Sequence, residues 1–164
     1  MAEAGRAFDG AQLITSGITA LRSTGTTFET PWYMAHLANI YAKLDRFDDA
    51  WRCMSEAMMA IETTQERWFE AEANRMAGQI ALLSPEPNAA KAQAYFERAL
   101  QCARQQQAKS WELRAAMSIA RLWRDHGKVR QARELLGPVY GWFTEGFDTR
   151  DLKEAKALLD TLAA

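Results

Sequence analysis

The stretch Ala92-Gln93-Ala94-Tyr95-Phe96-Glu97-Arg98-Ala99 sets a small residue, a bulky one and a small one at i, i+4 and i+7. Those three positions share one face of a helix. The arrangement returns as Ala50, Met54 and Ala57, and again as Ala132, Leu136 and Val139, with first residues 42 and then 40 positions apart. Upstream of each triplet lies a second helical stretch with a small residue at a matching place: Ala38, Gly78 and Ala120. Two antiparallel helices approach closely only where facing side chains are small. The leading Ala lets the second helix of a pair nest on the first, the bulky residue fills the groove, and the next position admits the following pair. Three matches at a nearly constant period indicate a repeat array.

Composition agrees. The chain has 164 residues, with 48% hydrophobic and 25% charged, enough to bury a core without staples and sized for a single domain over 1–164. Val, Ile and Thr never cluster into alternating strand runs, and only four prolines and nine glycines interrupt the helix formers. The expected class is all-α: a right-handed α-solenoid of about eight antiparallel helices, three repeats plus flanking helices. Twenty basic against 21 acidic residues leave a net charge of −1, which argues against nucleic acid as a partner. No apolar run approaches the length of a membrane span, and no signal-peptide core follows Met1. Two cysteines, Cys53 and Cys102, fit reduced thiols in a cytoplasmic protein.

The punctuation places the helices. Residues 1–8 are expected as a disordered tail and Asp9–Ser23 as the first helix. Thr30 is expected to cap the second, with Pro31 in its first turn. Asp45-Arg46 makes a corner before Phe47–Ile61, and Glu66–Leu83 follows the Thr63-Thr64 break. Asn88 and Ser110 are expected to cap the next two helices, the second ending at Gly127. Lys128–Phe143 follows, with a kink at Gly137-Pro138, and the pair Gly137 and Gly141 suggests close packing or a kink. Residues 150–163 form a C-terminal capping helix, begun by Asp148 or Thr149, with Leu152, Ala155, Leu158, Leu159 and Leu162 as an apolar stripe covered by the chain itself.

The small–bulky–small pairs resemble the tetratricopeptide repeat, a helix–turn–helix unit of roughly 34 residues; the spacing here is longer. A denser signature follows in Ala108-Lys109-Ser110-Trp111-Glu112-Leu113-Arg114-Ala115-Ala116, Ala120-Arg121-Leu122-Trp123, and Tyr140-Gly141-Trp142-Phe143-Thr144-Glu145-Gly146-Phe147-Asp148-Thr149 running into Asp151-Leu152. It resembles the C-terminal repeat region of large bacterial signalling proteins. Those join a class III adenylate/guanylate cyclase domain, or a DNA-binding transcriptional-activator domain, to an ATPase module and then to tetratricopeptide repeats. The resemblance spans about residues 10–162 and implies a regulatory interaction module. The phosphate-cradling Gly-rich loop and the cyclase's metal-binding aspartates on a sheet have no counterpart here, so no cyclase or ATPase activity is expected.

Catalytic and metal motifs are lacking. His36 and His126 lie far apart, no H-E-x-x-H or paired C-x-x-C occurs, and no catalytic residue, metal or cofactor is expected. His126 beside Gly127 suits a helix C-terminus. The tryptophans read as packing, with Trp32 the one expected at a surface. In such arrays the first helix of each pair lines the concave face. The candidate groove there comprises Trp32, His36, Asn39 and Lys43, then Arg75 and Gln79, then Arg114, Arg121 and Arg124. Arginine offers planar, bidentate recognition of carboxylates, and Asn and Gln suit a peptide backbone. The expected partner is a protein or acidic peptide; the alternative is a small-molecule-sensing repeat domain regulating a cyclase, ATPase or activator. Residues 45–72 sum to −5 and residues 109–136 to +4, an asymmetry that favours head-to-tail self-association as a homodimer.

Overall fold

A computed structural model describes residues 2–25 and 28–163, with side chains from residue 7 onward. They form eight α-helices and no strand: α1 (Ala2–Ser23), α2 (Thr30–Lys43), α3 (Phe47–Thr64), α4 (Glu70–Leu83), α5 (Ala89–Gln105), α6 (Lys109–Asp125), α7 (Val129–Gly141) and α8 (Arg150–Thr161). A 3₁₀ turn at Arg67–Phe69 leads into α4. Each helix packs on the next, and α2, α4, α6 and α8 also touch in series. The result is a solenoid-like stack with those four helices as its inner layer.

The nine triplet positions explain the stacking. Ala50, Met54, Ala57, Ala92, Phe96, Ala99, Ala132, Leu136 and Val139 are all buried, as are their facing small residues Ala38, Gly78 and Ala120. Gly78 shows the constraint most sharply: a Cβ there would lie within 3.0 Å of Cε1, Cδ1 and Cζ of Phe96. Two core clusters meet along α4, one running from Ala11 to Ile80 and the other from Ala81 to Leu162.

Three corners share one construction. Asp45, Gln107 and Gly127 each take a left-handed backbone, with φ of 58°, 55° and 74°. At each, that residue's N–H bonds the carbonyl three back and the following N–H bonds the carbonyl five back: Asp45 to Ala42 and Arg46 to Tyr41, Gln107 to Arg104 and Ala108 to Ala103, Gly127 to Arg124 and Lys128 to Trp123. This is the Schellman closure, which satisfies carbonyls that the helix end leaves orphaned. His126 Nδ1 lies 2.8 Å from the Leu122 carbonyl beside the third corner.

The corners also correct several expected boundaries. Ser110 is not a cap: the Gln107–Ala108 corner starts α6 at Lys109 with Ala108 as its N-cap, so Ser110 falls inside the first turn. Thr30 is likewise already helical, because Glu29 turns the chain with φ 60° and serves as N-cap; Pro31 does sit in the first turn. Asn88 caps α5 as expected, its Oδ1 accepting the Lys91 N–H at 2.8 Å. Thr149 precedes α8 but turns its hydroxyl back to donate to the Gly146 carbonyl instead. Helix α1 begins at Ala2, so residues 2–8 are helical rather than a tail; Ala and Glu there are strong helix formers. Helix α3 continues to Thr64, whose hydroxyl bonds the Ala60 carbonyl, and breaks at Gln65 with φ 59°. Neither Gly137 nor Gly141 has a neighbour within 4 Å of where a Cβ would stand, so they mark no close packing. The tryptophans at the surface are Trp142 and Trp68, 57% and 42% exposed, whereas Trp32 is half-buried.

Candidate functional site

The inner layer brings most of the expected site residues together. Asn39 from α2, Arg75 and Gln79 from α4, and Arg114 and Arg121 from α6 border one depression of about 310 Å³. Asn39 and Gln79 also border an adjoining depression of about 290 Å³, completed by Lys43, Leu82 and Leu83. The two hollows form one groove that runs across α2, α4, α6 and α8. Arg124 lies outside it, its Nε donating to the neighbouring Asp125 at 2.9 Å.

Trp32 and His36 sit within a run of rings instead. Ring centroids are 4.4 Å apart for Trp32 and His36, and 6.1 Å apart both for His36 and Phe69 and for Phe69 and Trp111. The Arg114 guanidinium stands 5.1 Å from the Trp111 ring centre. Burial pushes the His36 pKa below its usual value; Glu72 pulls it up, while Arg75 and Arg114 push it down further. The imidazole is therefore neutral at pH 7.

The charge pattern departs from expectation. The groove's arginines are not left open to a partner's carboxylates, because α4 supplies Glu72 and α8 supplies Asp151 and Glu154. Glu72, 4% exposed, receives both Nε and Nη2 of Arg75, at 2.8 and 2.7 Å, and Nη1 of Arg114 at 3.3 Å. Arg114 Nε donates to Asp151 at 2.6 Å. Arg121 donates to Glu154 at 2.9 Å, and Glu154 also accepts from Arg150 at 2.7 Å. Burial works against the Arg114 charge, but its bonds to Asp151 and Glu72 hold it on. A buried carboxylate shared by two arginines is viable because its charge is matched and its oxygens are occupied. The missed residues Arg150, Asp151 and Glu154 had a signal: Asp151 and Glu154 are one turn apart, off the apolar stripe of α8.

The groove thus has two halves. Toward α8 its charges are paired within the chain. Toward α2 it offers Asn39, Gln79, the exposed Leu83, and Lys43, which makes no ion pair among the described residues. A hydrogen-bonding strip of this kind can accept extended backbone and one carboxylate. Among the described residues no group of three or more His, Cys, Asp or Glu is placed to hold a metal ion, and no helix is long and apolar enough to cross a membrane. Cys53 and Cys102 are free and buried. Burial first, then Glu70, pushes the Cys102 thiol up to about 11, so it is no nucleophile at neutral pH. No protein-family model matches the chain, and no curated protein matches it.

Proposed function

We infer that the chain is a non-catalytic interaction module that holds an extended peptide along its inner groove. The observation that carries this reading is the convergence of Asn39, Gln79 and Lys43, from two successive inner helices, on one open strip beside exposed Leu83. Asn and Gln amides hydrogen-bond peptide backbone, Lys43 takes an acidic side chain or terminal carboxylate, and Leu82 and Leu83 contact an apolar residue. The reading places the module in the cytoplasm, in a bacterial signalling system of the tetratricopeptide type; the free thiols and the repeat signature support it. Head-to-tail self-association belongs to the same proposal, and a sedimentation coefficient unchanged between low and high salt would remove it.

A panel of fluorescent acidic and neutral peptides, each with a free or amidated C-terminus, tests the groove. Acidic peptides are expected to bind, with affinity lowered about tenfold or more by Lys43→Glu and by Asn39→Ala/Gln79→Ala. These residues are better probes than Arg75 or Arg121, whose charges are already paired within the chain. Equal binding by native and variant chains, or no binding by any peptide, would sink the reading.

A further inference from the structure

A second cleft lies on the other side of α4, away from the inner groove. Glu70 and Asn74 are one turn apart on α4 and occupy a different face from Arg75 and Gln79. The cleft has a volume of about 210 Å³. Its floor is Glu70 and Asn74, one wall is Met58 and Ile61 of α3, and the other is Tyr95 and Arg98 of α5.

Its polar groups keep capacity for a ligand. Asn74 is 4% exposed, and its amide nitrogen donates to the Glu70 carbonyl at 2.8 Å. Its Oδ1 accepts no hydrogen bond from the described residues. The oxygen is not sealed from solvent and the residue lines the cleft, so it can accept from a donor placed there. The Glu70 side chain is 14% exposed; it accepts from the Cys102 thiol, while its arginine neighbours stay beyond hydrogen-bonding reach, Arg98 at 3.7 Å and Arg67 at 3.9 Å. Arg98 itself is exposed and makes no shorter ion pair. Glu62 adds a second carboxylate at the rim.

The signs of these groups select the ligand. A lone cation entering toward Glu70 would meet Arg98. A lone anion approaching Arg98 would meet Glu62 and Glu70. A small zwitterion satisfies both: an ammonium on the floor donates to Asn74 Oδ1 and Glu70, and a carboxylate at the rim takes the planar fork of Arg98. Met58, Ile61 and the Tyr95 ring line an apolar slot beside the two charges. The volume falls below the ~300–1,000 Å³ of sites for drug-sized ligands, which limits the occupant to a few heavy atoms beyond the two charged groups. We propose that the α3–α4–α5 cleft binds a free α-amino acid with an apolar side chain, through Glu70 and Asn74 at its ammonium and Arg98 at its carboxylate.

The test is a titration of the full chain with L-leucine and L-methionine, followed by calorimetry and by amide chemical shifts. The single-charge analogues 4-methylpentanoate and 3-methylbutylamine serve as controls. Saturable binding of an amino acid is expected, with shifts centred on Asn74 and Tyr95. Each analogue should bind at least about tenfold more weakly, because one charged contact is left unmet. Arg98→Ala, a surface change that leaves the core alone, should weaken the amino acid about tenfold while leaving 3-methylbutylamine unweakened. Glu70→Gln should weaken the amino acid and 3-methylbutylamine alike. The proposal is overturned by the absence of saturable binding, by analogues that bind as well as the amino acid, or by an unchanged affinity in the folded Arg98→Ala chain. Peptide binding in the inner groove uses none of these residues, so either result stands apart from the groove's.

Discussion

Gly78 shows how one missing carbon positions two repeats. Its hydrogen faces the Phe96 ring, and a methyl group there has no room without moving a fully buried aromatic. Gly78→Ala is therefore expected to destabilise the chain by about 1–3 kcal/mol in urea unfolding, although Ala is the better helix former. The corners make an opposite prediction. Gln107 holds φ 55° with a side chain where the matching corner has Gly127. A left-handed L-residue costs roughly 1–2 kcal/mol and glycine's extra freedom returns about half of that. Gln107→Gly should raise stability by about 0.5–1 kcal/mol, and Gly127→Ala should lower it by a similar amount.

Glu112 carries a pH signature at the same scale. Burial pushes its pKa up, but hydrogen bonds from Lys109 and Arg104, at 2.7 and 3.0 Å, outweigh that and hold it below the usual glutamate value. A depressed folded pKa means stability that is present above the unfolded value, about 4.3, and lost as pH falls through the folded one. Acid unfolding curves of the native chain should therefore slope in that window, and Glu112→Gln should flatten them. A variant with the same slope would show that other carboxylates govern the transition.

Among the helices, α8 raises the question of what holds it. Its apolar stripe, Leu152, Ala155, Leu158 and Leu162, is buried against α6 and α7. Its acids reach Arg114 and Arg121, but Arg121 and Glu154 are each more than a third exposed, 39% and 38%. Exposed pairs contribute ~0–1 kcal/mol, whereas removing a buried leucine costs about 2–5 kcal/mol. Leu158→Ala should therefore cost several times what Glu154→Gln does, as read by thermal or urea unfolding.

The same helix marks what the sequence could and could not disclose. Its apolar periodicity was legible, and so was its burial on its own chain. The triplets from Ala50, Ala92 and Ala132 were equally plain, because small–bulky spacing reports directly on helix contact. Caps were less so: Thr30 and Ser110 have the right chemistry, but the preceding left-handed residues decided where each helix begins. The groove's residues were found from register, yet its charge balance was not. Pairing of Arg114 with Asp151 joins residues 37 apart in sequence, and only the packing of α8 on α6 brings them within reach. Asn74 attracted no notice because an unpartnered oxygen is a fact of surroundings rather than of composition.

Across the whole molecule, stability should follow neighbour contacts, as in other stacked repeats. Helices α4, α5 and α6 are packed on both sides, while α1 rests on α2 and leaves Phe8 and Leu13 at the surface. Hydrogen exchange should therefore be fastest in α1 and slowest in α4 to α6. Uniform protection across all eight helices would instead indicate a single cooperative unit.

The polar outer side of α8 gives the stack a direction of growth. Lys153, Lys156 and Asp160 turn to water there. New hairpins spliced in ahead of Arg150 would carry α8 outward, and the inner groove would lengthen by one inner helix with each unit added.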